Sequence, residues 1–131
     1  MLHRYNEESS LLLFHQATSA VLSELNSSYE ILYINDGSKD QTLSLIKKLS
    51  ASDPHVSFIS FSRNFGKEAA MYAGLENKTG NLTVIMDADL QHPPVLLKQM
   101  YQKITTENYN CVGAKRTSRD AHSKIRNGLS K

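Results

Sequence analysis

Apolar and polar positions along the chain follow two rhythms, one helical and one extended, with turn-forming residues between the segments. Apolar side chains recur near helical spacing in four segments, which are residues 7–25, 38–53, 67–78 and 93–105. Shorter apolar runs of the kind that form strands occupy residues 30–34, 56–61, 82–86 and 111–114. Because helices and strands alternate, the pattern predicts a layered α/β domain with a mostly parallel sheet.

Local signals refine these segments. Ser38 and Gln41 form a capping box that predicts the start of the second helix, and Gly80 predicts the cap that ends the third. The 82–86 run is apolar at nearly every position, as expected of a strand covered on both faces. Residues 1–4 are too few and too polar for the buried strand with which such a domain begins, so we expect that strand to be missing.

The first helix is predicted from apolar residues near helical spacing, which are Leu13, Ala17, Ala20, Val21 and Leu25. His15, on the same helix, has no acidic or imidazole partner nearby in the sequence. We therefore expect His15 to lie at the surface or at an edge.

Composition places the chain among ordinary soluble globular domains, with 40% hydrophobic and 21% charged residues in a length of 131. The single cysteine, Cys111, excludes a disulfide framework and favours a reducing compartment. No apolar run approaches the roughly 18 residues of a membrane-spanning helix. The net charge of +2 is uneven, since residues 115–131 hold six lysines and arginines against Asp120 alone. Such a tail either is simply solvated or binds an anionic partner such as phosphate, a membrane surface or nucleic acid.

The strongest chemical signal follows the 82–86 run. Asp87 and Asp89 are two positions apart, so in extended backbone their carboxylates point the same way. Two converging carboxylates repel each other unless a cation lies between them, and Mg²⁺ or Mn²⁺ prefers such oxygen ligands. Gln91 repeats the spacing and offers a neutral oxygen. The alternative is an acidic turn that caps the helix beginning at Pro93.

Two further polar segments follow predicted strands. Asp36, in an Asn-Asp-Gly-Ser turn at 35–38, either accepts hydrogen bonds from a base or ribose at the sheet edge or serves the turn alone. In the segment 62–67, Gly66 frees the backbone while Arg63 and Lys67 either face phosphates or are merely solvated.

These segments occur in a fixed order: Tyr5-Asn-Glu-Glu8, Ile34-Asn-Asp-Gly-Ser-Lys-Asp40, Ser62-Arg-Asn-Phe-Gly-Lys67 and Asp87-Ala-Asp-Leu-Gln-His-Pro-Pro94. Together they resemble family 2 glycosyltransferases with the GT-A fold, most closely the dolichyl- or undecaprenyl-phosphate mannose or glucose synthases. The resemblance implies a Rossmann-like three-layer domain. It also implies that residues 1–131 are a single partial nucleotide-sugar-binding domain, without the family's first strand and without its C-terminal acceptor and membrane region.

The resemblance implies roles for individual residues on the donor side. Asp36 would contact the base and ribose of a UDP- or GDP-linked sugar, with Tyr5 and Glu7 in the same nucleotide pocket. Asp87 would lie near the ribose and diphosphate.

The resemblance also implies the catalytic groups. Asp89 and Gln91 would hold Mg²⁺ or Mn²⁺, and Arg116 would contact phosphate, while Arg119 and Arg126 match the family pattern less closely. The implied reaction is an inverting, metal-dependent transfer of sugar to a polyprenyl phosphate, in a cytoplasmic protein whose full-length form acts at the cytoplasmic face of a membrane.

Other functions compete with this one. The chain could be a non-catalytic fragment that at most binds nucleotide. A nucleotidyltransferase would require a glycine-rich phosphate loop near the start, which the sequence lacks. Nucleic-acid binding is supported only by the charge of the tail, without interleaved aromatic residues.

Overall fold

A computed structural model describes residues 2–3, 8–88, 93–115 and 124–127 of the chain. Within these ranges strands and helices alternate as far as the third helix, after which a fourth helix and two strands follow. The elements are β1 (Leu2–His3), α1 (Glu8–Ser23), β2 (Ile31–Asn35), α2 (Thr42–Ser52), β3 (Val56–Ser60), α3 (Lys67–Asn77), α4 (Leu96–Thr106), β4 (Val112–Lys115) and β5 (Lys124–Asn127).

The chain divides into two compact units. The first contains Met1–Gln16 and Ser28–Gln91, and the second contains Ala17–Ser27 and His92–Lys131. The first unit therefore holds β1, β2, β3, α2, α3 and the first half of α1.

A parallel sheet of order β1–β2–β3 forms the centre of the first unit. All five residues of β2 are buried, as expected of a central strand covered on both faces. The prediction that the first strand is missing is wrong for Leu2 and His3, which pair in parallel with Tyr33 and Ile34. Pairing needs only backbone groups in register, so a short polar segment can occupy a strand position that its hydropathy does not predict.

Helices cover both faces of this sheet. Leu32 and Ile34 point to one face and pack with Ala70 of α3, whereas Tyr33 points to the other face and contacts His15 of α1. Right-handed crossovers put α1 and α2 on the same side, because the strands follow one another across the sheet in chain order. The predicted α/β fold with a mostly parallel sheet is confirmed in this three-layer unit.

The second unit contains an antiparallel pair, β4 and β5, in which Val112 lies opposite Asn127 and Lys115 opposite Lys124. Helix α4 contacts both strands. The sequence predicted β4 but not β5, because the apolar pattern of a strand is absent from the polar residues 124–127.

Several local predictions are wrong. The 82–86 run forms only a single bridge at Met86, and Leu82 and Ile85 are exposed, because a strand exists only where a neighbour supplies hydrogen-bond partners. Helix α2 begins at Thr42, whose N–H donates to Asp40 (2.9 Å), so the Ser38 capping box does not form. Helix α3 ends at Lys78 in extended backbone, and Gly80 is not among the described glycines with positive φ.

Helix α1 buries a different face from the one that carries Leu13. Leu11, Phe14 and His15 are buried, whereas Leu13 is 57% exposed. The apolar side chains of this helix occur on more than one face, so helical spacing alone could not identify the one that meets the sheet.

His15 is part of a buried polar cluster rather than a surface residue. Its Nδ1 lies 2.7 Å from the Tyr33 hydroxyl, and its Nε2 lies 3.3 Å from Asp53. An imidazole with its proton on Nε2 satisfies both contacts, because it donates to the carboxylate and accepts from the phenol. Burial, together with the nearby charge of Asp53, raises the pKa of the Tyr33 phenol, so this hydroxyl stays protonated and remains a donor.

Candidate functional site

Two loops meet at the carboxyl ends of β2 and β3. The 35–38 turn includes the last residue of β2, and the 62–66 loop runs from β3 to Lys67, the first residue of α3. Because β2 and β3 are parallel, both loops leave the same edge of the sheet. Ligands bind at this edge in open α/β folds.

Asn35 ties the 35–38 turn to the neighbouring strand. Its amide Nδ2 donates to Ser60 Oγ (3.1 Å), and its Oδ1 accepts from the Ser38 hydroxyl (2.5 Å). The backbone N–H of Phe61 donates to the Asn35 carbonyl at 2.8 Å. The Ser38 hydroxyl is therefore used inside the turn rather than at the start of α2.

Asp36 is fully buried and holds the 62–66 loop against the turn. Its Oδ1 accepts from the backbone N–H of Phe65 (2.7 Å), and its Oδ2 accepts from that of Gly66 (3.0 Å). Hydrogen bonds to a charged acceptor contribute roughly 1.5–3 kcal/mol each. Both carboxylate oxygens thus fix the backbone immediately before Lys67, and contact of Asp36 with a base or ribose remains a prediction.

Two glycines permit this close approach of the loops. Gly37 has φ +69°, and a Cβ on it would lie 2.5 Å from the Asn64 nitrogen and against the backbone of Arg63. Gly66 has φ +100°, in a region that L side chains rarely adopt, but faces open space. The prediction that Gly66 frees the backbone here is confirmed.

Aromatic contacts order the exposed side of the 62–66 loop. The Arg63 guanidinium lies 4.6 Å from the centre of the Phe65 ring, and that ring meets Phe61 edge-on at 5.6 Å. Phe65 is half exposed, so the cation–π contact contributes only about 0.5–1 kcal/mol. Arg63 is therefore held on the outer surface of the loop.

Asp87 lies directly after the bridge at Met86 and pairs with Lys67. The Lys67 Nζ is 3.5 Å from Asp87 Oδ2, and both side chains reach solvent. The next residue, Ala88, is buried, and its carbonyl accepts from the Ser10 hydroxyl (3.4 Å). The segment that carries Asp87 is thus anchored to α1, while its carboxylate stays accessible.

A divalent cation fits the chemistry of Asp87 and of the two ligands that the sequence predicts after it. No group of three or more His, Cys, Asp or Glu side chains that could hold a metal occurs within the described ranges. The predicted ligands Asp89 and Gln91 lie outside those ranges. Their side-chain oxygens and the Asp87 carboxylate, which already attracts the cationic Lys67, are the donor type that Mg²⁺ and Mn²⁺ prefer.

The structure thus describes two of the predicted site residues, Asp36 and Asp87. Tyr5, Glu7 and Arg116 lie outside the described residues, as do Asp89 and Gln91. The amide donors to Asp36 and the Lys67–Asp87 pair were not predicted, because each joins residues at least 20 positions apart. Among the helices that the structure describes, none is long and apolar enough to cross a membrane.

Comparison with known proteins gives consistent matches along the chain. The family profile described as Glycosyl transferase family 2 matches residues 4–130. A Bacillus subtilis (strain 168) protein, CsbB, whose name as a glycosyltransferase is provisional, is 47% identical over 96% of this chain and 38% of its own length. The prophage bactoprenol glucosyl transferase homolog of Escherichia coli (strain K12) is 41% identical over 93% of this chain and 40% of its own.

A third relative, the bactoprenol glucosyl transferase of Shigella phage SfX, is 38% identical over 93% of this chain and 40% of its own length. This chain therefore spans about two fifths of the length of the curated relatives that it matches.

Proposed function

Because the chain belongs to glycosyl transferase family 2, we propose that it is the nucleotide-sugar-binding part of an inverting, metal-dependent glycosyltransferase. The three-layer unit with its parallel sheet is the Rossmann-like core of the GT-A fold of that family. Enzymes of the family generally depend on a divalent cation. The observation that carries the proposal is the match of the family profile to residues 4–130, almost the whole chain.

The donor is a UDP- or GDP-linked sugar that binds at the carboxyl edge of the sheet. Asp87 lies near the ribose and diphosphate, which its accessible carboxylate at that end of the unit supports. Asp36 fixes the 62–66 loop and lines the nucleoside pocket, to which Tyr5 and Glu7 also belong. In this proposal residues 1–131 bind the nucleotide-sugar donor.

Charge develops on the diphosphate as the bond to the sugar breaks. Asp89 and Gln91 would hold Mg²⁺ or Mn²⁺, which would supply electrostatic stabilisation of that leaving group. Arg116 adds a cationic contact to phosphate, and such a donor is most effective where water is partly excluded. The roles of these three residues follow from the family resemblance of their sequence positions.

The acceptor is a polyprenyl phosphate, which relatives named bactoprenol glucosyl transferases support. A phosphate acceptor is already an anion at neutral pH, so the reaction needs no strong general base. The cationic residues between 115 and 131 suit contact with the lipid phosphate or with an anionic membrane face. This acceptor places the full-length protein at the cytoplasmic face of a membrane.

A binding titration tests the proposal. UDP, GDP, UDP-glucose and GDP-mannose are titrated into the chain by calorimetry, once in Mn²⁺ and once in EDTA. We expect one nucleotide series to bind at least tenfold more tightly in Mn²⁺. Asp89→Asn should remove that gain, and the matched control Glu76→Gln, an exposed acidic residue on α3, should leave it unchanged. Equal affinity in Mn²⁺ and EDTA for every nucleotide contradicts the proposal.

A further inference from the structure

The ion pair between Lys67 and Asp87 is weak and accessible to solvent, unlike an interaction that stabilises the fold. The Nζ–Oδ2 distance is 3.5 Å, and the side chains of Lys67 and Asp87 are 56% and 26% exposed. Ion pairs that reach solvent have a median contribution of about 0–1 kcal/mol. A competing partner of modest strength can therefore displace either member of the pair.

Helix stability does not account for the position of Lys67. It is the first residue of the eleven-residue helix α3, next to the positive end of the helix dipole. A cation in the first turn is disfavoured there by roughly 0.3–1 kcal/mol, whereas Glu68 in the same turn has the favourable sign. Lys67 thus opposes the dipole of its own helix while it neutralises Asp87.

The backbone that carries Lys67 is fixed, although its side chain is free to turn. The two preceding amides, of Phe65 and Gly66, donate to the buried carboxylate of Asp36. The loop backbone is also packed against Gly37. Movement at this position is therefore limited to the rotatable bonds of the lysine stem, which can swing its ammonium by several ångströms without moving the loop.

We propose that Lys67 is an exchangeable counter-ion of the donor site. It pairs with Asp87 when the site is empty, and it turns to the diphosphate of a nucleoside diphosphate when a divalent cation takes its place beside Asp87. The inference rests on the proposed function. A nucleoside diphosphate keeps net negative charge after it binds one divalent cation, so the released ammonium gains a new anionic partner and no charge is left unpaired.

Mn²⁺ alone gives the first test, because competition predicts that the lysine weakens metal binding. Free Mn²⁺ is measured by electron paramagnetic resonance in the 131-residue chain and its variants. Lys67→Gln should bind Mn²⁺ about threefold more tightly, since displacing an exposed ion pair costs little. Lys67→Arg and the control Lys78→Gln, at the other end of α3, should match the parent. Unchanged or weaker Mn²⁺ binding by Lys67→Gln overturns the inference.

Nucleotide binding gives the second test, with the opposite sign. In Mn²⁺, Lys67→Gln should lose about tenfold in affinity for UDP or GDP, because a charge-assisted contact to the diphosphate disappears. The affinity for UMP or GMP should change less than threefold. In EDTA, Asp87→Asn should raise UDP or GDP affinity by freeing Lys67, and this gain should vanish in the double variant with Lys67→Gln. A gain that persists in the double variant overturns the inference.

The two proposals fail in different ways. If no nucleoside diphosphate binds the parent chain more tightly in Mn²⁺ than in EDTA, the proposed function is contradicted. If the parent shows that metal dependence but Lys67→Gln changes neither Mn²⁺ nor diphosphate affinity, only the exchange is contradicted.

Discussion

Two edges of the same sheet each contain an aspartate-centred cluster, and the two clusters differ in burial and in the origin of their hydrogen bonds. At the carboxyl edge, Asp36 is fully buried and accepts from two backbone amides 29 and 30 residues away. At the amino edge, Asp53 accepts from the backbone N–H and the imidazole of His55, two residues away, and contacts the imidazole of His15.

The carboxyl edge therefore organises loops, whereas the amino edge joins elements of the core. Asp53 forms a local turn with His55, just before β3, and contacts His15 of α1, so its cluster stabilises packing. Asp36 instead fixes a loop whose neighbour, Lys67, reaches an accessible carboxylate. Binding sites need a backbone held in place by such supporting contacts, which favours the carboxyl edge for the proposed donor site.

The largest expected effect comes from adding one methyl group to the carboxyl edge. Gly37→Ala forces an L residue to φ +69° and puts its Cβ against the backbone of Arg63 and Asn64. Strain and overpacking together should lower the free energy of unfolding by about 3 kcal/mol, measured by urea denaturation. Gly66→Ala, at φ +100° and ψ 164° but facing open space, bears the backbone strain without the overpacking and should lose only about 2 kcal/mol. Equal losses would show that the close approach of the two loops is unimportant.

Removing the buried carboxylate should have the next largest effect. Asp36→Ala leaves the amides of Phe65 and Gly66 without their acceptor and should lower the free energy of unfolding by about 2 kcal/mol. Asp36→Asn should be intermediate, because its amide oxygen can accept from only one side while its NH₂ faces a second donor. The control Asp40→Ala, which removes the contact to Thr42 N–H at the start of α2, should lose about 1 kcal/mol. A larger loss in the control contradicts the loop-holding role.

Much of the fold could be predicted because its signals are local. The turn residues after β2 and the helical spacing of apolar residues in 38–53 and 67–78 each act within a few positions of the chain. The missed features depend on distant partners instead. The two-residue strand β1 forms because β2 supplies backbone hydrogen-bond partners. Residues 82–86 form only a single bridge, because a longer strand would need such partners along its whole length.

The candidate site divides in the same way. Asp36 and Asp87 could be selected from their positions after apolar runs, but their partners could not. The residue that pairs with each carboxylate depends on how the 62–66 loop crosses the sheet edge. The path of that loop cannot be deduced from sequence spacing. The burial and the partners of His15 were missed for this reason too, since its acceptor Asp53 is 38 positions away.

At the amino edge, loss of one hydroxyl should lower the free energy of unfolding by less than Gly37→Ala or Asp36→Ala. Tyr33→Phe removes the hydrogen bond to His15 Nδ1 and leaves a buried ring nitrogen without that partner. We expect the free energy of unfolding to fall by about 1 kcal/mol. Tyr72→Phe, which removes an exposed hydroxyl bonded to Glu76, is the matched control and should lie within about 0.5 kcal/mol of the parent. If both variants lose the same free energy of unfolding, burial of the Tyr33–His15 contact does not add to its stabilising effect.

The smallest expected effect depends on pH and involves Asp53. The backbone N–H of His55, with smaller contributions from the imidazoles of His55 and His15, lowers the pKa of the Asp53 carboxyl in the folded chain below 3.8. A lowered folded pKa means that the ionised group stabilises the fold above its unfolded pKa, and that this stabilisation disappears as the pH falls through the folded value.

Asp53→Asn keeps an acceptor for the His55 N–H but has no charge to lose. We therefore expect the variant to be less stable than the parent at pH 7 by less than the Tyr33→Phe change, and the two to converge below pH 3.8 in urea denaturation series. A difference that stays constant down to the lowest pH would show that the carboxylate charge of Asp53 does not stabilise the amino edge.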